Sequence, residues 1–184
     1  EMLRSLVGSE MCIRDRYGLD AVSYIIAGAP GQCAETTLND LLRLARKNTI
    51  AGLSVFYPAP GSLDYKRAAE LGILPPHLSL MRSSTLPLNH TTSRLEAVTL
   101  LRLSRIINFI KSLEQDQIPM PAPRSFCDFK MPAQAERLER GLLLLGWFLG
   151  DGIIRGITPE GEVFEHPTAL ELTRKFIRAA AFHF

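Results

Sequence analysis

An apolar run, Tyr24-Ile25-Ile26-Ala27, ends abruptly in Gly28-Ala29-Pro30-Gly31-Gln32. Glycines there permit turn geometry and let a ligand reach main-chain atoms without a Cβ in the way. The N–H groups that open the following helix have no partner within it, as at every helix start. Phosphate exploits such a site, but no Gly-Lys-Ser/Thr follows, which argues against a triphosphate loop. A flat, apolar-edged group such as adenine suits it better, packed on Ile26 and on the backbone of residues 28–30. A tight turn that holds no ligand is the alternative.

The remaining reactive side chains are dispersed. His77, His90, His166 and His183 show no HxxxH or HxH pairing and none is near a cysteine, so no metal site is expected. His90, beside Thr91, Thr92 and Arg94, is a candidate substrate contact, against the alternative of a surface role. Asp64, Glu70, Asp151 and Glu165 give no acid/base pair by spacing, and Asp151 between Gly150 and Gly152 reads as a turn residue. Cys12, Cys33 and Cys127 lie far apart, which favours reduced thiols in a cytoplasmic protein over a disulfide scaffold.

These groups need elements to position them. Residues 20–27 read as a strand whose run 24–27 is covered on both faces. A helix over 35–47 carries Leu38, Leu41, Leu42 and Ala45 on one face, with Arg46 and Lys47 complementing the dipole of its last turn. A second strand spans 51–57, so the unit is βαβ with parallel strands. Ser62 caps a short helix over 63–71 that stops at Gly72. Leu78 to Met81 reads as a short strand or extended passage, within an irregular polar stretch over 75–92 that is either a cleft-lining loop or a solvated one.

Ser93 or Thr92 caps a long helix, Arg94–Gln115. Leu95, Leu103, Ile106, Ile110 and Leu113 fall on one side; Arg94, Arg102, Arg105, Asn108 and Lys111 fall broadly opposite. That stripe is a solvated or salt-bridged face, or a contact surface for an acidic partner; no aromatic residues interleave as single-strand nucleic-acid binding requires. Pro119, Pro121, Pro123 and Pro132 mark 118–132 as a linker or strap. A helix over 133–149, with Leu138, Leu142, Leu145 and Phe148 inward, leads to a hairpin turning at Thr158-Pro159-Glu160-Gly161. The last helix opens with Thr168-Ala169-Leu170-Glu171 and buries Leu172, Phe176 and Ile177.

The first of these stretches carries a resemblance. Ile25-Ile26-Ala27-Gly28-Ala29-Pro30-Gly31-Gln32, with Glu35-Thr36-Thr37 and Leu41 behind it, resembles the fifth strand and loop of radical S-adenosylmethionine (SAM) enzymes, in the branch of oxygen-independent coproporphyrinogen oxidase and the elongator-type enzymes. There the pattern is apolar-x-Gly-Leu-Pro-Gly-Gln-Thr; here Ala29 replaces Leu and Cys33 replaces Thr. Gly52-Leu53-Ser54-Val55-Phe56-Tyr57, then Pro58-Ala59-Pro60-Gly61-Ser62 and Tyr65, resembles the sixth strand. The match covers about residues 18–66. It implies an α/β fold, the C-terminal part of a (βα)₆ partial TIM barrel with parallel strands, followed by a helical and hairpin appendage. By position it implicates Ile26, Gly28, Ala29, Pro30 and Gln32 in contact with the adenine of SAM, with Phe56 and Tyr57 framing it.

The resemblance implies that the parent enzyme cleaves SAM reductively to a 5′-deoxyadenosyl radical at an iron–sulfur cluster. The family's Cys-x-x-x-Cys-x-x-Cys motif is absent here, so the cluster ligands are expected upstream of Tyr17, and a cobalamin-binding domain in the parent is left open. Residues 1–16 resemble translated adapter sequence and are set apart from the fold, the alternative being a genuine helix with Leu3, Leu6 and Val7 at helical spacing. The expected organisation is then 17–93 as barrel, 94–117 as long helix, 118–132 as linker and 133–184 as a small helix–hairpin–helix unit.

Composition bounds the remaining classes. At 184 residues, 46% hydrophobic and net charge +2, the chain suits one domain or a domain piece, with no strong nucleic-acid signal and no apolar run of membrane length. Two competing readings stay open: a non-enzymatic α/β interaction module using the basic face of helix 94–115, and a phosphate- or nucleotide-binding protein using residues 28–32. Oligomeric state and substrate are not legible.

Overall fold

The computed structural model describes residues 16–18, 21–81, 91–127, 131–132 and 135–180. Its order is β1 (Val22–Ala27), α1 (Ala34–Ala45), β2 (Ile50–Val55), α2 (Leu63–Glu70), a 3-10 turn (Leu78–Leu80), α3 (Arg94–Gln115), α4 (Arg137–Asp151), β3 (Arg155–Ile157), β4 (Val163–Glu165) and α5 (Leu170–Ala180). The chain is thus mixed α/β. β1 and β2 pair in parallel, Val22 opposite Ile50 through to Ala27 opposite Val55. β3 and β4 form a separate antiparallel hairpin.

Side chains alternate across a strand, and here the two sides differ sharply. Ile25, Ala27, Ala51 and Leu53 face a core that α1 and α3 complete. On the other side Val22, Tyr24, Ile26 and Ile50 are 45%, 78%, 51% and 45% exposed. The expectation that residues 24–27 are covered on both faces is therefore corrected: both helices pack on one side, and nothing among the described residues covers the other. Gly52 leaves room for the Tyr24 ring, which lies against it.

α3 is the spine of the core. Its start is fixed by a reciprocal cap: Glu96 N–H donates to Ser93 Oγ, and Ser93 N–H donates to the Glu96 carboxylate. Ala97, Leu100, Leu103, Ile107, Ile110 and Leu113, spaced by three and four, are buried. Each fully buried Leu or Ile contributes about 1.5–3 kcal/mol. Leu95, placed inward by pattern, is 43% exposed in the first turn of the helix. The same apolar cluster continues into Leu145 and Phe148 of α4 and Leu172 and Phe176 of α5.

The polar side of α3 is not a solvated stripe. The Asn108 amide accepts from Ala51 N–H (2.8 Å) and donates to Ala51 C=O (2.9 Å), filling the outer edge of β2 as a neighbouring strand would. Lys111 Nζ donates to the carbonyls of Leu44, Lys47 and Thr49. Lys111 thus adds a cation at the end of α1, where Arg43 lies in the last turn and Arg46 and Lys47 follow directly, just beyond the helix they were expected to end. Arg102 donates to Pro167 C=O, which leaves Arg94 and Arg105 exposed on that side.

Elsewhere one element changes type and one boundary moves. Leu78–Leu80 is a 3-10 turn rather than an extended passage, closed by Leu80 N–H on His77 C=O. α4 starts at Arg137, after a turn in which Ala135 N–H donates to Pro132 C=O; Leu138, in its first turn, is half out in solvent. The proline strap packs directly on α4: Arg124 N–H donates to Gly146 C=O, and Phe126 meets Trp147 edge-on at 5.1 Å. The hairpin turns at Thr158-Pro159-Glu160-Gly161 as expected, with Thr158 N–H on Glu162 C=O.

Candidate functional site

Because β1 and β2 are parallel and in register, the loops after Ala27 and Val55 leave at the same end of the sheet. This rim is the carboxyl end of the strands, where open α/β sheets bind ligands. Phe56 N–H donates to Ala27 C=O, extending the pairing one step beyond the strands. Gly28 and Gly31 adopt positive φ, +75° and +80°, a conformation that glycine takes without a Cβ penalty.

The loop braces itself. Gln32 N–H donates to Ala29 C=O (3.0 Å), and the Gln32 amide oxygen accepts from Ala29 N–H (3.3 Å). The Thr91 and Thr92 hydroxyls both donate to Gln32 C=O, at 2.8 and 2.9 Å. Thr92 is fully buried. The sequence reading treated these threonines as part of a polar loop; a pair of hydroxyls just ahead of a helix cap was the available signal for a bracing role. His90 lies outside the described residues.

The expected contacts divide by exposure. Ile26 opens onto the bare sheet face, Pro30 is exposed, Ala29 and Gln32 are half-buried and Gly28 is buried. Phe56 is half-buried and Tyr57 is 41% exposed. The rim therefore offers apolar surface from Ile26, Pro30 and Tyr57 around a fixed backbone turn. Ala29 N–H, one of the donors a phosphate would need, is already engaged by Gln32.

Cys33 occupies the position before α1 and gives it no side-chain cap. Its Sγ lies 3.1 Å from Thr36 Oγ1. Hydrogen bonding from Thr36, first its hydroxyl and then its N–H, draws the thiol below its ordinary pKa. Glu35, in the same first turn, pairs with Lys175 of α5 at 3.1 Å.

Away from the rim, Asp151 and Glu165 converge on one cation. Arg155, with its side chain 2% exposed, holds Asp151 at 2.7 Å and Glu165 at 2.9 Å, and its guanidinium sits 4.1 Å from the centre of the Phe126 ring. Asp151 is the last residue of α4 and bonds Ile153 N–H, so it closes a helix rather than merely turning a loop. This is a structural clamp joining strap, helix and hairpin. A cavity of about 480 Å³ lies beside it, lined by Leu149, Asp151, Arg174, Ile177 and Arg178, and includes no rim residue.

His166 carries a pH dependence. Its ring meets Phe164 edge-on at 4.9 Å, and burial, reinforced by Arg102, lowers its pKa. The folded chain thus holds the proton more weakly than the unfolded one, whose histidine titrates near about 6.5. Stability is full above that value and falls as pH drops toward the lowered one. The melting temperature of the wild type is expected to fall on acidification through this window, and that of His166→Gln to fall less. Equal slopes for the two proteins would remove His166 from the account.

Among the described residues no group of three or more His, Cys, Asp or Glu could hold a metal ion, and no helix is long and apolar enough to cross a membrane. Comparisons with family models, with curated proteins and with solved structures find no match.

Proposed function

We propose that the rim formed by residues 28–32 and 56–57 holds the adenosyl part of S-adenosylmethionine, and that the chain supplies the C-terminal part of a (βα)₆ partial barrel of a radical SAM enzyme. The observation that carries this reading is the parallel, in-register pairing of β1 and β2, which brings both loops to one end beside exposed Ile26 and Tyr57. The bare sheet face fits the same reading. In a barrel, helices cover the outside and the opposite strand face looks inward, as the split between Ala27, Leu53 and Tyr24, Ile26 would require.

The residues fit the two groups of such an enzyme differently. For adenine, the turn gives a Cβ-free approach at Gly28 and flat apolar contacts at Ile26 and Tyr57. For an iron–sulfur cluster, Cys33 and Cys127 are the cysteines within the described residues and no clustered ligand set accompanies either. No cluster or cobalamin contact and no step of the radical reaction is therefore assigned to the described residues of this chain.

Equilibrium dialysis with labelled SAM tests the reading. Saturable binding is expected, displaced by adenosine and not improved by a triphosphate. Ile26→Ser, at an exposed position, is expected to weaken it about tenfold, or about 1.4 kcal/mol. No binding, or binding indifferent to both adenosine and Ile26→Ser, would sink the proposal.

A further inference from the structure

The cavity beside the Arg155 clamp carries both signs of charge without bringing them together. Arg174, Ile177 and Arg178 of α5 line it opposite Leu149, Gly150 and Asp151 at the carboxyl end of α4. Gly152, the left-handed cap of α4, lies against α5: a Cβ there would meet Ile177 at 3.6 Å and Arg174 at 3.7 Å. Among the described residues the Arg174 guanidinium has no hydrogen bond or ion pair, and that of Arg178 reaches the Arg174 carbonyl alone, 3.4 Å from Nε. Glu171, the acid of α5, is taken by Lys175 at 3.3 Å. The other pole is negative. Phe148 C=O accepts from Gly152 N–H, but Ile153 N–H goes to the Asp151 carboxylate, so no described N–H reaches the carbonyls of Leu149 and Gly150. They form the negative end of the helix dipole. The clamp adds to it, with one guanidinium against the two carboxylates of Asp151 and Glu165. Asp151 makes no ion pair with Arg174 or Arg178, although all three line one cavity.

We infer that this cavity binds a small zwitterion with an apolar body, of the class of free α-amino acids with apolar side chains. The guanidinium groups of Arg174 and Arg178 hold its carboxylate, which their forked donors match in geometry as well as charge. Its ammonium sits at the carbonyls of Leu149 and Gly150, where a helix end favours a cation. Its side chain lies on half-buried Leu149 and Ile177. A plain anion would meet the surplus charge of the clamp, and a plain cation would meet two guanidiniums, so the ligand must carry both signs. The volume, about 480 Å³, is that of a small-molecule site. This inference is independent of the adenosyl reading, because no rim residue lines the cavity.

Calorimetric titration of the 184-residue chain with L-leucine, with amide chemical shifts on the same samples, tests it. Saturable binding is expected in the millimolar range or below, with shifts at Gly152, Ile153 and Ile177. Isocaproate, which lacks the ammonium, and isoamylamine, which lacks the carboxylate, are each expected to bind at least about tenfold more weakly than leucine. Arg174→Gln combined with Arg178→Gln, both at exposed positions, is expected to weaken leucine about tenfold with unchanged far-ultraviolet dichroism. Should that pair fail to fold, Arg178→Gln alone and the ligand series decide. Adenosine, the probe of the rim, is expected not to displace leucine. No saturable binding, equal binding of either analogue, displacement by adenosine, or binding unmoved by the arginine substitutions would each overturn the inference.

Discussion

Gly150→Ala is expected to destabilise the chain by about 2–3 kcal/mol, although it raises the helix propensity of α4. A methyl at this position overlaps the backbone carbonyl of Arg124, in the proline strap. The strap cannot retreat alone, since Arg124 N–H is bonded to Gly146 C=O one turn earlier and Phe126 is seated on Trp147 and Arg155. Gly141→Ala in the same helix is the matched control. There the added methyl meets the Phe109 ring, a side chain that can rotate aside. Both substitutions gain about 1 kcal/mol of intrinsic propensity, so their difference reports how stiff the neighbour is. Urea unfolding of the two variants should separate them by at least about 1 kcal/mol; equal midpoints would mean that the strap is not held as described.

That strap shows where reading the sequence stopped. Proline spacing identifies an extended segment correctly, but it cannot say that Gly146 and Gly150, twenty-odd residues on, form the groove it crosses. Caps were more legible because they are local: Ser62 accepts from Tyr65 N–H and Ser93 from Glu96 N–H, three residues away in each case. The βαβ unit and its parallel pairing were equally legible, from an apolar run, a helical stripe and a second run. Burial of β1 was not. Val22, Tyr24 and Ile26 are as apolar as residues that face a core, and periodicity reports the two faces of a strand without saying which one a neighbour covers.

The candidate site divides in the same way. Gly28, Gly31 and Gln32 were readable as a turn because their backbone demands are intrinsic. The hydroxyls that fix the turn come from Thr91 and Thr92, about sixty residues away, and only tertiary structure supplies that distance. Asn108 was misread for the converse reason. A polar residue on a helix normally faces water, yet this one faces the unpaired groups of Ala51, which solvent would otherwise have to satisfy.

Lys111 extends that argument to a charged group and gives the other large effect. Lys111→Met keeps the length and apolar stem of the side chain but removes the ammonium from the carbonyls of Leu44, Lys47 and Thr49; Leu44 C=O keeps Lys47 N–H and Lys47 C=O keeps Thr49 N–H. Two consequences add. The end of α1 loses one of the cations that complement its dipole, and the turn from α1 into β2 loses the point that ties its carbonyls together. Hydrogen bonds from a charged donor are each worth about 1.5–3 kcal/mol and are not additive, so a loss of about 3 kcal/mol is expected in urea unfolding. The damage should be local before it is global: amides of Lys47, Thr49 and Ile50 should exchange faster, while those of Leu103 and Ile107 keep their protection until the whole chain opens. A loss confined to a few tenths of a kcal/mol, with the amides of Lys47, Thr49 and Ile50 unchanged, would show that water replaces the ammonium at these carbonyls and that α3 holds the sheet by its apolar side and Asn108.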